Sequence, residues 1–241
     1  MKYLSRFQVL TSSSLKIIAI VTMFIDHFGA VVVNQALLRL SSVVRNQELY
    51  HNMRIFYRIL RLVGRLAFPI FCFMLVEGFV HTRSREKYLL RLGFFALISE
   101  IPFDLAIYKD WFYPDKQNVF FTLFLGMLVM YLADRFKRDW LQAMVILAGV
   151  FLGYLLKTDY GEKGVFVITV LYLLRYQRPL QCLAGAAAMS FETGGPFGMI
   201  PPLLYNGQKG KLKLKYFFYW FYPAHLLLLT GARMAILHFA V

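Results

Sequence analysis

Leu15-Lys16-Ile17-Ile18-Ala19-Ile20-Val21-Thr22-Met23-Phe24-Ile25-Asp26-His27-Phe28-Gly29 reads as a membrane-spanning helix. Past its midpoint, however, it carries an acid and an imidazole side by side. Placing a charge inside a bilayer costs about 2.5–3.5 kcal/mol even on lenient insertion scales. Partners elsewhere in the chain must offset that cost, and finding them becomes the problem the sequence sets.

The rest of the composition agrees with a membrane setting. The chain has 241 residues, 59% of them hydrophobic and 17% aromatic, with a mean hydropathy of +0.55. Soluble domains average roughly 45–50% apolar residues. At about 20 residues per span, an all-α polytopic transmembrane helix bundle of roughly eight or nine spans is expected. It would form one transmembrane domain over residues 1–241, with no Ser/Gly/Pro-rich linker to divide it. The net charge of +14 falls between apolar runs, which fits a positive-inside bias and anionic headgroups and argues against nucleic acid. Cys72 and Cys182 lie in apolar runs without metal-ligand spacing and read as packing residues. No cleavable leader is evident, because the first apolar run is long enough to span.

Lys2, Arg6 and Lys16 precede or enter the first span and favour a cytoplasmic N-terminus. The expected location is a cell membrane, multi-pass. Residues 34–64 interleave Arg39, Arg45, Arg54, Arg58 and Arg61 with Leu, Val, Ile, Phe and Tyr, and Arg65 follows. That pattern suits an interfacial or covering amphipathic segment. The short loop Arg83-Ser84-Arg85-Glu86-Lys87 is strongly basic, and Lys209, Lys211, Lys213 and Lys215 form a later basic cluster. Residues 197–205 are apolar but too few to span alone, with Pro201-Pro202 breaking any helix there.

Several other apolar runs carry ionisable or amide groups at the same expected depth. Glu100 and Asp104 share a helical face at i,i+4, Asn118 opens the next helix, and Arg65 and His225 complete the set. A network of interhelical hydrogen bonds averages only about 0.6 kcal/mol per bond in membranes. That is a small return for burying so many ionisable groups, so function is favoured. Neighbouring residues on a helix point about 100° apart, so Asp26 is badly placed to orient His27. Arg65 is the expected partner of Asp26. His27, buried and neutral, suits the role of proton acceptor from a nucleophile, and it shares a helical face with Lys16. Glu77 and His81, also i,i+4, lack the third ligand a metal needs, and no metal is expected.

The run Leu15–Gly29 resembles the TraX family, known for F-pilin N-acetylases. So do Gly64–Phe71, Glu77-Gly78-Phe79, Tyr88–Leu92, Ser99–Asp104, Asn118–Leu123 and Phe221–Leu226, in family order. The resemblance implies transfer of acetyl from acetyl-CoA to a peptide amine or a hydroxyl compound at the extracytoplasmic side, with the lipid bilayer as a further partner. On that basis His27 is the general base and His225 a second proton carrier or a donor to the oxyanion. Arg65 supplies positive charge near the carbonyl or pairs with Asp26. Lys16, Arg83, Arg85 and Lys87 face the donor, and Glu100, Asp104 and Asn118 shape the acceptor end. The main rival is a proton-coupled small-solute transporter, which also uses buried acid and imidazole chains; the absence of a visible repeat counts against it.

Overall fold

A computed structural model describes residues 7–212 and 216–240. The described residues form helices and no sheet, apart from two isolated bridges, Leu10 with Tyr205 and Gln117 with Thr158. Helix α1 spans Ser12–His27, and the Thr11 hydroxyl caps it by accepting the Ser14 N–H at 3.2 Å. It passes directly into a π-helical segment, Phe28–Val33. A 3-10 turn and α2 (Ser41–Arg45) lead to α3, Gln47–Gly64, which Asn46 caps at the Leu49 N–H. Only Arg65 and Leu66 separate α3 from α4, Ala67–His81.

The remaining helices are α5 (Arg85–Ile107), α6 (Val119–Ala133), α7 (Asp139–Leu155), α8 (Gly161–Leu173), α9 (Arg178–Ala188), α10 (Ile200–Leu203) and α11 (Phe217–Phe239). A 3-10 segment, Gly195–Met199, runs into α10, with Pro201 and Pro202 inside its short span. Helix α4 is apolar all round from Ala67 to Val76, ahead of Glu77 near its end, and is accordingly central. Its Ile70, Cys72, Phe73 and Val76 are fully enclosed, against α1, α6 and α8. Helix α3 packs along α1, where Arg61 and Gly64 meet Asp26, and its Tyr50, Met53, Tyr57 and Leu60 pack against Val33, Leu38 and Val43, while α11 packs on α5 and on the π-helical segment after His27.

The expected eight or nine spans are not there. Among the described residues, two helical stretches are long and apolar enough to cross a membrane, Ser12–Arg39 and Gln47–His81. The multi-pass location that rested on the larger count falls with it. The reason is length. Helices α6, α7, α8 and α9 have 15, 17, 13 and 11 residues, which at 1.5 Å per residue is about 17–26 Å, short of a hydrocarbon core of about 30 Å. Helix α5 has 23 residues but carries Arg85, Glu86, Lys87, Arg91, Glu100 and Asp104. Helix α11 is equally long, but its first residues, Phe-Phe-Tyr-Trp-Phe-Tyr-Pro, dilute its hydropathy. Residues 34–64 form α2 and the amphipathic α3. Lys2, Arg6, Lys213 and Lys215 lie outside the described residues.

Candidate functional site

Two helices distant in sequence bring two imidazoles together. His27 is the last residue of α1, where the backbone changes from α to π geometry, a feature common at functional sites. His225 sits inside α11, two residues after Pro223. His27 Nδ1 lies 2.8 Å from His225 Nε2, and His225 Nδ1 lies 2.6 Å from the Phe221 carbonyl oxygen. A carbonyl only accepts, so His225 Nδ1 carries the proton. In the neutral ring its Nε2 is then an acceptor, and His27 Nδ1–H donates to it. The tautomers follow in a chain, and His27 is left with a lone pair on Nε2.

Aromatic rings hold this pair. Phe221 stacks on His225 with centroids 4.8 Å apart, and Tyr222 meets both imidazoles edge-on at 5.8 Å. His225 is 4% exposed. Burial pushes its imidazole down to about 4, against the Phe221 and Tyr222 backbone hydrogen bonds that raise it.

Asp26 faces elsewhere. It pairs with Arg61, one turn before the expected Arg65. Arg65 instead pairs with Glu192 at 3.0 Å and hydrogen-bonds the Tyr160 hydroxyl. Tyr160 in turn stacks flat on Phe68. Asp159 pairs with Lys116 at 3.6 Å; burial raises its carboxyl, and the Lys116 and Arg65 charges pull it back. Arg61 and Arg65 both lie within electrostatic reach of His27. Two glycines permit the arrangement. A Cβ on Gly64 would overlap the Asp26 side chain, and Gly194 takes φ +91 where the Glu192 loop crosses close to Leu62.

A cavity of about 490 Å³ opens beside α1, within the size range of small-molecule sites. Lys16, Arg91 and Lys209 contribute cations to it, and Met23, Leu92, Phe120, Leu123 and Tyr222 line it with apolar and aromatic surface. Its one carboxylate, Glu77, is paired with Arg178 at 3.3 Å. The Arg91 Nε is buried without a hydrogen-bond partner. Tyr222 links this cavity to the imidazole pair.

The other sequence candidates separate into two groups. Lys16 lines the cavity, but Arg83, Arg85 and Lys87 do not; Arg83 and Lys87 are exposed, and Arg85 pairs with Asp134. Glu100, Asp104 and Asn118 serve the connection between α5 and α6. Asn118 caps α6 at the Phe120 N–H (3.0 Å), donates to the Ala96 carbonyl (2.8 Å) and donates through its backbone N–H to Glu100 (3.1 Å). Asp104 accepts the Tyr113 N–H at 2.9 Å. Asp159, Tyr160, Glu192, Arg91 and Tyr222 were not singled out from the sequence as site residues, while Arg61 was read only as part of the amphipathic segment and Lys209 only as part of the later basic cluster. Arg61 and Tyr222 had a usable signal, since each shares a helical face with a residue that was singled out, Arg65 and His225. Among the described residues no group of acid, His and Cys side chains has the arrangement of a metal site.

Comparison with known proteins places residues 11–233 against the family described as TraX protein. A probable fimbrial assembly protein FimC, serogroup H1, from Dichelobacter nodosus is 33% identical over 249 residues, covering 91% of this chain and 94% of that protein. No solved structure matches the chain.

Proposed function

The chain belongs to the TraX family, which supports an acetyltransferase-like activity, and from that premise we propose that it transfers acetyl from acetyl-CoA to an amine or hydroxyl with His27 as general base. The observation that carries this reading is the His27–His225–Phe221 hydrogen-bond chain, which leaves His27 Nε2 as the acceptor end of the chain; Tyr222, whose ring touches both imidazoles, also lines the cavity with the cationic residues. His27 Nε2 takes the proton of the acceptor N–H or O–H as that atom attacks the thioester carbonyl carbon. The tetrahedral oxyanion collapses, the carbon–sulfur bond breaks, and the thiolate leaves as CoA on receiving the proton held by His27. Throughout, His27 Nδ1–H donates to neutral His225, which steadies the imidazolium that forms. His225 is therefore a positioning residue.

The cavity fits the donor. Lys16, Arg91 and Lys209 suit the phosphates, with the Arg91 guanidinium held between the Tyr88 and Tyr219 rings. The apolar lining toward Tyr222 suits the uncharged pantetheine arm. Lys16 and His27 are eleven residues apart on α1, a rise of about 16 Å, so the arm would carry the thioester to the imidazoles. The ion pairs Asp26–Arg61, Arg65–Glu192 and Lys116–Asp159 ring the other approach to His27, where the acceptor would enter. The relative named for fimbrial assembly supports an acceptor in that process.

Removing a general base lowers rate by about 10²–10⁴-fold. His27→Gln should lose acceptor-dependent CoA release to that extent while retaining the wild-type melting temperature and acetyl-CoA binding. Wild-type turnover in a purified, folded His27→Gln protein would overturn the assignment. Uptake of a solute by liposomes carrying the protein, without CoA release, would instead support the transporter.

A further inference from the structure

Helix α3 carries a second pattern that the transfer reaction does not use. Arg54, Arg58, Arg61 and Arg65 follow one another at steps of four, three and four, within roughly 60° of arc at 100° per residue. The two nearest the site are engaged, Arg61 with Asp26 and Arg65 with Glu192. Arg54 and Arg58 are exposed and have no ion pair among the described residues; Arg54 lies over the Tyr50 ring and donates to its hydroxyl at 3.3 Å. Beside this row runs an apolar stripe, Ile55, Ile59 and Leu62, which are 42%, 53% and 47% exposed. The opposite flank of α3, with Tyr50, Met53, Tyr57 and Leu60, is packed against Val33, Leu38 and Val43. Two exposed guanidinium groups without an anionic partner, next to an unburied aliphatic strip, are complementary to a molecule with an anionic head and a hydrocarbon tail. Water alone matches the first and not the second.

We propose that the exposed face of α3 binds an anionic phospholipid, its phosphate on Arg54 and Arg58 and its acyl chains along Ile55, Ile59 and Leu62. Because the same arginine row continues to Asp26, a lipid seated there also holds α3 in place over the residue preceding His27.

The test is thermal unfolding of the detergent-solubilised full chain titrated with short-chain phosphatidylglycerol, with phosphatidylcholine of the same chain length and inorganic phosphate as the other arms. Phosphatidylglycerol should raise the melting temperature saturably, and the other two should not. Each basic residue facing an anionic lipid contributes about fivefold in affinity, so Arg54→Gln/Arg58→Gln should weaken the apparent affinity about 30-fold. Ile55→Asn/Ile59→Asn should weaken it while the arginines remain. Equal shifts in the arginine variant and the wild type would overturn the proposal, as would reproduction of the shift by inorganic phosphate or by phosphatidylcholine. Since the readout is binding, its failure leaves the acetyl-transfer reading untouched.

Discussion

The hydrogen-bond chain through His225 makes a statement about single atoms that mutagenesis can separate from packing. Glutamine at 225 still offers an oxygen to His27 Nδ1–H, whereas leucine offers nothing and leaves a buried donor unpaired. His225→Leu should therefore lower kcat by about 10²-fold, and His225→Gln should recover most of that loss. Burial holds His225 near 4, so it stays neutral, and able to accept, throughout the range where imidazoles ordinarily titrate. The acid limb of the kcat/KM profile should then be unmoved by His225→Gln; a shifted limb would mean that His225 itself exchanges the proton. From the sequence, the separation of Asp26 from His27 was legible because helical geometry alone sets their directions. The partner of Asp26 was legible only to within one turn, since Arg61 and Arg65 lie on one face of α3 and differ by the rise of a turn. The pairing of His27 with His225 was not legible, because it depends on how α11 crosses the end of α1.

At the level of whole elements, the crossing of α1 and α3 sets where Asp26 and His27 stand, and it depends on a missing side chain. Gly64 ends α3 directly against Asp26, and a methyl group there forces the helices apart or turns the carboxylate away from Arg61. Overpacking of this kind costs about 1–3 kcal/mol. Gly64→Ala should lower stability by about that amount in denaturant unfolding, and it should also lower turnover, because His27 moves with its neighbour. A stable Gly64→Ala protein with full activity would show that the α1–α3 crossing does not set the site. The helical character of the chain was plain from its apolar runs, yet the number of spans was not. An apolar run of 13 or 15 residues buried by its neighbours has the same composition as half of a longer one, and only the loop positions reveal its length. Helices α6 and α8 show this, with Met127, Met130, Ile168 and Leu171 fully enclosed by protein.

Over the whole molecule, the cationic lining of the cavity is assembled from three remote places: the start of α1, the first half of α5, and the chain just before α11. No local pattern announces such a set, which is why the densest basic loop, around Arg83, Arg85 and Lys87, was the natural choice from sequence. In the folded chain Arg85 is taken by Asp134, and Arg83 and Lys87 are exposed and do not line the cavity. Lys16 was found only because it shares a face with His27. If the cavity holds the donor, the cations act on its phosphates and not on the thioester, so they contribute to binding before the chemical step and equally during it. Losing one hydrogen-bonded charge contact is worth about tenfold in affinity or more. Lys16→Gln and Arg91→Gln should accordingly raise KM for acetyl-CoA about tenfold each with kcat nearly unchanged, and Arg83→Gln should change neither. With acetyl-pantetheine, which lacks the nucleotide phosphates, the Lys16 and Arg91 variants should match the wild type, because the groups they contact are gone. A penalty that persists with the truncated donor would place these cations on the reacting end of the substrate and reverse the orientation assigned to it.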